Sequence, residues 1–281
     1  MTAAGAPTGA TTVAAVIGDP IDHSLSPAIH NRAFTVAGLD WVFVAFRVPS
    51  GAAGRALDAA RTLGLGGLSV TMPHKAAVAD AVDRLSPAAA ALGAVNCVRR
   101  DGGDLVGENT DGEGFVRAVR AEAGFDARGR RCVVFGAGGS ARAVIRALAE
   151  AEAAEVVVVN RTPERGADAA GLAAQARVGA AVEAEGADLV VNATPLGMTG
   201  VAEDTMPLDA GLLGSDQVVV DLVYEPVRTP LLEAAEQRGA VALGGLGMLT
   251  HQAALAFEHW TGTPAPIEAM DEAAAAALAG R

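Results

Sequence analysis

The chain has 281 residues, 51% of them apolar, and a formal net charge of −12, which is length enough for two ordinary domains and the wrong sign for holding nucleic acid or an anionic membrane. No apolar run approaches the roughly 20 residues that span a bilayer, and residues 1–10 lack the basic start and apolar core of a signal peptide, so a cytoplasmic protein is expected. Cys97 and Cys132 show no metal-ligand spacing and read as reduced core residues, with no metal site.

Short apolar runs alternate with amphipathic stretches, the pattern of βα units around mostly parallel sheets. It predicts a strand over 12–17, a helix over 26–36 with Pro27 in its first turn, a strand over 41–48, a helix over 52–63 and a strand over 67–70. Helices over 74–82 and 87–92 lead to a strand and hairpin over 95–106, with Asp101-Gly102-Gly103 as the turn. A helix follows from 111 to about 122, and 124–129 reads as the crossing into a second domain. That domain opens with a continuous apolar strand over 131–135, then turns through Gly136-Ala137-Gly138-Gly139-Ser140-Ala141 into a helix. Strands over 156–159, 189–193 and 218–222 repeat the pattern. After Gly244-Gly245-Leu246-Gly247 come two helices, about 248–260 and 266–278, with no strand between them. Such a pair can return to pack on the first domain.

The glycine turn follows a strand and opens a helix, the context in which glycine lets backbone approach a pyrophosphate resting on the helix's unpaired N–H groups. An NAD site places Asp or Glu about 20 residues further on, at the end of the second strand, to hold the ribose 2′-hydroxyl. Here that strand ends in Asn160-Arg161-Thr162, with Arg165 one helical turn later. Two guanidiniums in place of a carboxylate suit a 2′-phosphate, and cations at a helix start otherwise oppose the dipole. NADP is the expected cofactor.

Lys75 is the only lysine, against twenty arginines. A guanidinium stays protonated at any working pH, whereas an ammonium can give up its proton when burial or neighbours favour the neutral amine; a proton-transferring group needs that property. Around it, polar residues mark the ends of first-domain strands, where open α/β sheets bind ligands. Ser24 and Ser26 flank the first βα turn, Thr71 and Lys75 follow the third strand, and Asn96 and Asp111 flank the hairpin. Singly, Ser26 is explained as an N-cap, and Thr71 and Asn96 as turn chemistry. Together they offer donors for a small polyhydroxylated acid, with one Lys and one Asp for proton work.

Eight segments now stand in order from residue 18 to residue 252. They are Gly18-Asp-Pro-Ile-Asp-His-Ser-Leu-Ser-Pro27, Ser69-Val-Thr-Met-Pro-His-Lys75, Gly93-Ala-Val-Asn96, Asn109-Thr-Asp-Gly112, Gly136-Ala-Gly-Gly139, Asn160-Arg-Thr162, Asn192-Ala-Thr194 and Gly245-Leu-Gly-Met248 with Gln252. On these the chain resembles the shikimate dehydrogenase family. The resemblance implies an open, mostly parallel α/β/α substrate domain over 1–111, a Rossmann-type NADP domain over 112–245, and C-terminal helices over 246–281 that rejoin the first. It puts the catalytic pair on Lys75 and Asp111, substrate contacts on Ser24, Ser26, Thr71, Asn96, Tyr224 and Gln252, and cofactor contacts on Gly136, Ala137, Gly138, Gly139, Ser140, Asn160, Arg161, Thr162, Arg165, Leu222 and Gly245. The family pattern is departed from at Leu222, where many members carry Met, and at Pro87, where an acidic residue often stands. The second departure puts one peripheral cofactor contact in doubt.

The implied reaction is the reversible reduction of 3-dehydroshikimate to shikimate by NADPH, in a monomer or homodimer whose domains close over a small-molecule substrate. Within the family the alternatives are a quinate or aminoshikimate dehydrogenase, and Arg161 with Arg165 argues against the NAD-preferring quinate branch. From another class, a non-catalytic NADP(H)-binding sensor on the same fold would have no use for both Lys75 and Asp111. Folate-linked dehydrogenases share the two-domain plan but not the Ser24, Ser26 and Asn109-Thr-Asp set.

Overall fold

The computed structural model describes residues 6–281, so the first five residues of the segment read for an export signal lie outside it. The chain forms two compact units: one runs up to Thr110 and is completed by Thr250–Arg281, and the other is Asp111–Leu249.

The first unit is built from β1 (Thr12–Gly18), α1 (Ser26–Ala37), β2 (Trp41–Arg47), α2 (Ala53–Leu63), β3 (Gly67–Val70), α3 (Lys75–Ala79), β4 (Arg84–Leu85), α4 (Pro87–Leu92), β5 (Cys97–Asp101) and β6 (Asp104–Glu108). Its sheet runs β2-β1-β3-β5-β6-β4. β1 pairs in parallel with β2 and β3, whereas β3–β5 and β5–β6 are antiparallel. Leu57, Ala60, Val78 and Ala89 cover one face against Ala15, Ile17, Leu68 and Val70. The helix expected over 74–82 stops at Ala79 because the chain must turn back to the sheet. There Asp83 donates its N–H to the Leu105 carbonyl (3.0 Å) and its carboxylate accepts the Leu105 N–H (2.6 Å), setting up the edge strand β4.

The second unit begins with α5 (Asp111–Ala123), followed by β7 (Arg131–Phe135), α6 (Gly139–Glu150), β8 (Glu155–Val159), α7 (Pro163–Ala170), β9 (Ala176–Val178), β10 (Leu189–Asn192), β11 (Val218–Asp221), α8 (Pro230–Gln237) and β12 (Val241–Gly244). The order β12-β11-β10-β7-β8-β9 is parallel throughout and reverses between β7 and β10, the Rossmann arrangement. Alternate residues serve opposite faces: Cys132 and Val134 pack with α5, α6 and α7, and Val133 and Phe135 pack with Leu231 and Ala235 of α8. Burial on both faces is why these strands read as unbroken apolar runs, and each buried Val, Leu or Phe contributes about 1.5–3 kcal/mol.

Helix α9 (Leu246–Thr261) carries the chain back to the first unit, and α10 (Ile267–Ala279) packs there against α1. Phe257 and Trp260 of α9 join His30, Phe34 and Phe43 in an aromatic cluster, with His30 stacked on Phe43 at 4.4 Å and 5.0 Å from Trp260 between ring centroids. Trp260 lies flat over Gly67, where a Cβ would overlap the indole, and its Nε1 donates to the Val98 carbonyl at 3.0 Å. Burial in this cluster lowers the His30 pKa from 6.5 to about 3, so the ring is neutral. The two thiols are free and buried, one in each unit; burial raises Cys97 and pushes Cys132 up to about 12.

Candidate active site

In the first unit the polar residues gather where β1, β3 and β5 meet their loops. The loops after β1 and β3 are tied together: Thr71 donates its N–H to the Ile17 carbonyl (3.0 Å) and Asp19 donates to the Met72 carbonyl (3.0 Å). The half-buried Lys75 opens α3, and its carbonyl accepts the Val95 N–H at 2.9 Å, which fixes its backbone to the residue before Asn96. His74 is buried and its Nε2 sits 2.7 Å from the Val48 carbonyl, so the neighbour of Lys75 is structural. At the β1–α1 turn the N-cap of α1 is Leu25, with no side-chain cap bond. Ser26 is therefore not the cap; its N–H donates to Ser24 Oγ at 3.3 Å, which places the two serines side by side, both half-buried.

Asn96, 4% exposed, is the centre of a side-chain net. Its Nδ2 donates to Thr110 Oγ1 (2.9 Å) and to Gln252 Oε1 (3.3 Å), and its Oδ1 accepts the Thr110 N–H (2.8 Å). Thr110 Oγ1 donates on to the Gln252 carbonyl at 3.1 Å. Gln252, 156 positions along the chain from Asn96, is thus brought to it by α9. Thr110, absent from the expected site residues, is the joint between them; only the Asn-Thr-Asp segment pointed to it.

The second unit holds Asp111 and the dinucleotide residues. Asp111, 6% exposed, opens α5, where the helix dipole favours a carboxylate. At the β7–α6 turn Gly136 has φ +115°, and a Cβ there would lie 2.8 Å from the Ala193 carbonyl oxygen, so the turn needs glycine and abuts the end of β10. Gly138 and Gly139 face open space: a Cβ on either would meet nothing within 4 Å. Gly138 is the N-cap of α6 and supplies no side-chain bond, which leaves the first-turn N–H groups of Gly139, Ser140 and Ala141 for an anion. On the other side of the switch point, Gly245 rests on the backbone of Leu222, since a Cβ at 245 would overlap the Leu222 carbonyl oxygen. These gaps and donors fit a pyrophosphate.

At the end of β8, Asn160 Nδ2 donates to the Thr162 carbonyl (2.8 Å) and shapes the turn into α7. Thr162 is the N-cap but makes no side-chain cap bond. Arg161 and Arg165 are exposed and, among the described residues, have neither a hydrogen-bond acceptor nor a carboxylate partner. Two guanidiniums held at a helix N-terminus without an anion fit a 2′-phosphate. Pro87 serves as the first residue of α4 behind the Ser86 cap.

Beneath Leu222 and Tyr224 lies a buried network that the strand pattern did not reveal. Asp221, fully buried, accepts from Asn192 Nδ2 (2.9 Å), Thr229 Oγ1 (2.7 Å) and the Val223 N–H (3.0 Å). Burial raises its pKa, and the three hydrogen bonds oppose that rise. Asn192 Oδ1 in turn accepts the N–H and hydroxyl of Thr194. The loops after β10 and β11 are therefore fixed to one another. The available signal was a single Asp closing the apolar run Val218-Val-Val-Asp221.

A Rossmann strand order, a glycine turn open at a helix start, and anion-seeking arginines at the second strand's end define a dinucleotide-dependent oxidoreductase fold with a separate α/β unit bearing the polar net. Residues 16–98 match the family profile for the shikimate dehydrogenase substrate binding domain, 119–195 that for shikimate / quinate 5-dehydrogenase, and 245–275 that for the shikimate 5′-dehydrogenase C-terminal domain. A shikimate dehydrogenase (NADP(+)) of Methanopyrus kandleri is 47% identical over 275 residues, 94% of each chain, and one of Moorella thermoacetica is 45% identical over 272 residues, 93% of this chain and 92% of that one. Among solved structures, shikimate 5-dehydrogenase of Thermus thermophilus in complex with NADP(H) and shikimate superposes with a TM-score of 0.89 at 40% identity, covering 95% of this chain and 100% of that one. The chain belongs to the shikimate dehydrogenase family.

Proposed function

We propose that this protein is an NADP-dependent shikimate dehydrogenase, interconverting 3-dehydroshikimate and shikimate in the route to aromatic amino acids. The observation that carries it is the pairing of the family's substrate-side set, with Lys75 as the sole lysine, and a β8–α7 turn whose two arginines have no acceptor of their own. Bound NADPH supplies a hydride to the ring ketone. Lys75 delivers a proton to the forming alkoxide and stabilises its charge, with Asp111 as the second member of the catalytic pair. Ser24, Ser26 and Tyr224 hold the ring carboxylate, and Thr71, Asn96 and Gln252 orient the ring hydroxyls. The Asn96–Thr110–Gln252 net supports that role, because three hydrogen bonds to Thr110 and Gln252 fix the orientation of the Asn96 carboxamide. Gly136, Ala137, Gly138, Gly139 and Ser140 hold the pyrophosphate, Asn160, Arg161, Thr162 and Arg165 the adenosine 2′-phosphate, and Leu222 and Gly245 the nicotinamide side.

The cytoplasm is the proposed location: two buried thiols without a bridge suit a reducing compartment, and among the described residues no helix is long and apolar enough to cross a membrane. The deciding experiment is a steady-state assay of shikimate and quinate, each with NADP and NAD. Shikimate with NADP is expected to give the highest kcat/KM of the four. A higher value for quinate with NAD would replace the proposal with the quinate branch of the family, and no turnover with any pair would leave a nucleotide sensor.

A further inference from the structure

Arginine is this chain's general cation, and sixteen of the twenty have an acceptor. In the second unit Arg117, Arg120, Arg128, Arg130, Arg131, Arg146, Arg177 and Arg228 pair with carboxylates, and Arg238 donates to the Leu213 and Gly211 carbonyls. Among the described residues of that unit, Arg142, Arg161 and Arg165 stand apart with no acceptor at all. Arg161 and Arg165 belong to the β8–α7 turn already described. Arg142 lies on a different element, in the opening turns of α6, and is half-buried. A cation there opposes the helix dipole, and its partial burial adds a desolvation cost, so it too lacks its natural partner.

The helix phase of α6 shows where Arg142 points. Ala141, Val144, Ile145 and Leu148 face the core that α6 shares with Phe115 and Val119 of α5 and Ala169 and Ala170 of α7. The three helices therefore line one face of the sheet, with α6 in contact with both neighbours. Ala143 and Ala147 form the flank toward α5, since a Cβ on Gly112 would lie 2.6 Å from the Ala143 carbonyl oxygen and 2.8 Å from Ala147 Cβ. At about 100° per residue, Arg142 falls on the opposite flank, toward α7. Helical side chains sweep toward the helix N-terminus, which for α6 lies at the carboxyl end of β7, level with the β8–α7 turn beside it. Arg142 and the two arginines of the β8–α7 turn thus stand on neighbouring elements at the carboxyl end of the paired strands β7 and β8.

We infer that Arg142 is a third binding residue for the adenosine 2′-phosphate, reaching it from α6 while Arg161 and Arg165 reach it from the β8–α7 turn. The inference rests on the NADP assignment and deepens it. Two loop arginines alone can follow a phosphate that moves; a guanidinium anchored on a helix fixes its position.

The test is calorimetric titration of the full chain with adenosine 2′,5′-bisphosphate and with 5′-AMP, which differ only in the 2′-phosphate. Arg142→Ala is expected to weaken the bisphosphate about tenfold, the scale of one charge-assisted hydrogen bond, and to change 5′-AMP less than about twofold. Arg142→Gln, which keeps most of the packing, is expected to behave the same way. Arg55→Ala removes an equally acceptor-free arginine from α2 of the first unit and is expected to leave both titrations as in the wild type. An equal loss for both probes in Arg142→Ala would move the residue to the 5′-phosphate and overturn the proposal, as would an equal loss in Arg55→Ala, which would reduce the effect to net charge. Loss in Arg161→Ala but none in Arg142→Ala would sink the third cation while leaving the 2′-phosphate site intact. Wild-type protein binding both probes equally would instead remove the NADP assignment on which it stands.

Discussion

In the unit that ends at Thr110 and resumes at Thr250, the candidate site's side chains are engaged with one another: Asn96 with Thr110 and Gln252, Ser24 with the backbone of Ser26. In Asp111–Leu249 four of the candidate cofactor residues stand open instead, for Gly138 and Gly139 face space and Arg161 and Arg165 have no acceptor among the described residues. The difference follows from what each is to recognise. A hydroxylated ring is read by directed hydrogen bonds, and buried groups left unpaired cost about 1–3 kcal/mol each, so the donors must be held in a net before the ligand arrives. A phosphate carries charge in every direction and is read by nearby cations, which salt screens. The first unit is preorganised, and the second waits with unsatisfied charge.

Removing the one group that neither scheme can replace gives the largest effect. Lys75→Ala is expected to lower kcat by roughly 10²–10⁴ while the calorimetric Kd for NADP stays within about twofold; retention of more than half the turnover would assign the proton to another group. Next comes the charge-based unit: Arg161→Ala with Arg165→Ala is expected to reduce the NADP-over-NAD preference in kcat/KM by roughly 10² or more, mostly through KM. Raised salt is expected to weaken NADP binding in the wild type more than in that double variant, and equal salt sensitivity would show the arginines to be bystanders.

The first unit carries its own sign of pH dependence. His30 is neutral in the fold, with a pKa of about 3 against 6.5 when unfolded, so below pH 6.5 the unfolded chain takes up a proton that the native one refuses. Stability is therefore complete above pH 6.5 and is lost as pH falls toward 3, by about 2 kcal/mol at pH 5 from this group alone. Both tryptophans, Trp41 and Trp260, lie in this unit, so urea unfolding followed by their fluorescence at pH 7 and pH 5 measures it. His30→Phe is expected to lose that part of the slope; an unchanged slope in the variant would place the titration elsewhere. The smallest effect separates recognition from folding at one side chain. Because Leu25 is the N-cap of α1, Ser26→Ala is expected to raise KM for shikimate by roughly 1–2 kcal/mol of lost hydrogen bonding with no change in Tm.

The interior of both sheets was legible in the sequence, as was the edge strand β2, and the other three edges were not. β7, β8, β10 and β11 announce themselves because both faces are buried, and β3 is found at its exact bounds. β4, β9 and β12 escape notice, and each closes one end of a sheet. β9 is three residues, Ala-Arg-Val, with Arg177 and Val178 exposed, the short and charged build that discourages edge pairing. Within the site, residues that touch a ligand by resemblance could be placed from motifs. The bonds that hold them in place could not: Thr110 and Asn192 stand in motif segments, but a hydrogen bond between residues 29 positions apart, such as Asn192 to Asp221, leaves no periodic trace. Arg142 was hidden for a third reason: its meaning lies in a missing partner, which only coordinates reveal.

Each unit also contains one thiol and no more. Cys97 sits in the β3–β5–β6 part of the first sheet and Cys132 in β7 of the second, both sealed in cores and both held protonated at neutral pH by burial. Neither can react with a thiol-labelling reagent until its own unit opens. The chain is in effect supplied with two native stopwatches, and labelling the two single-cysteine variants, Cys97→Ala and Cys132→Ala, in native buffer would time the opening of each unit separately and show whether nucleotide slows one clock or both.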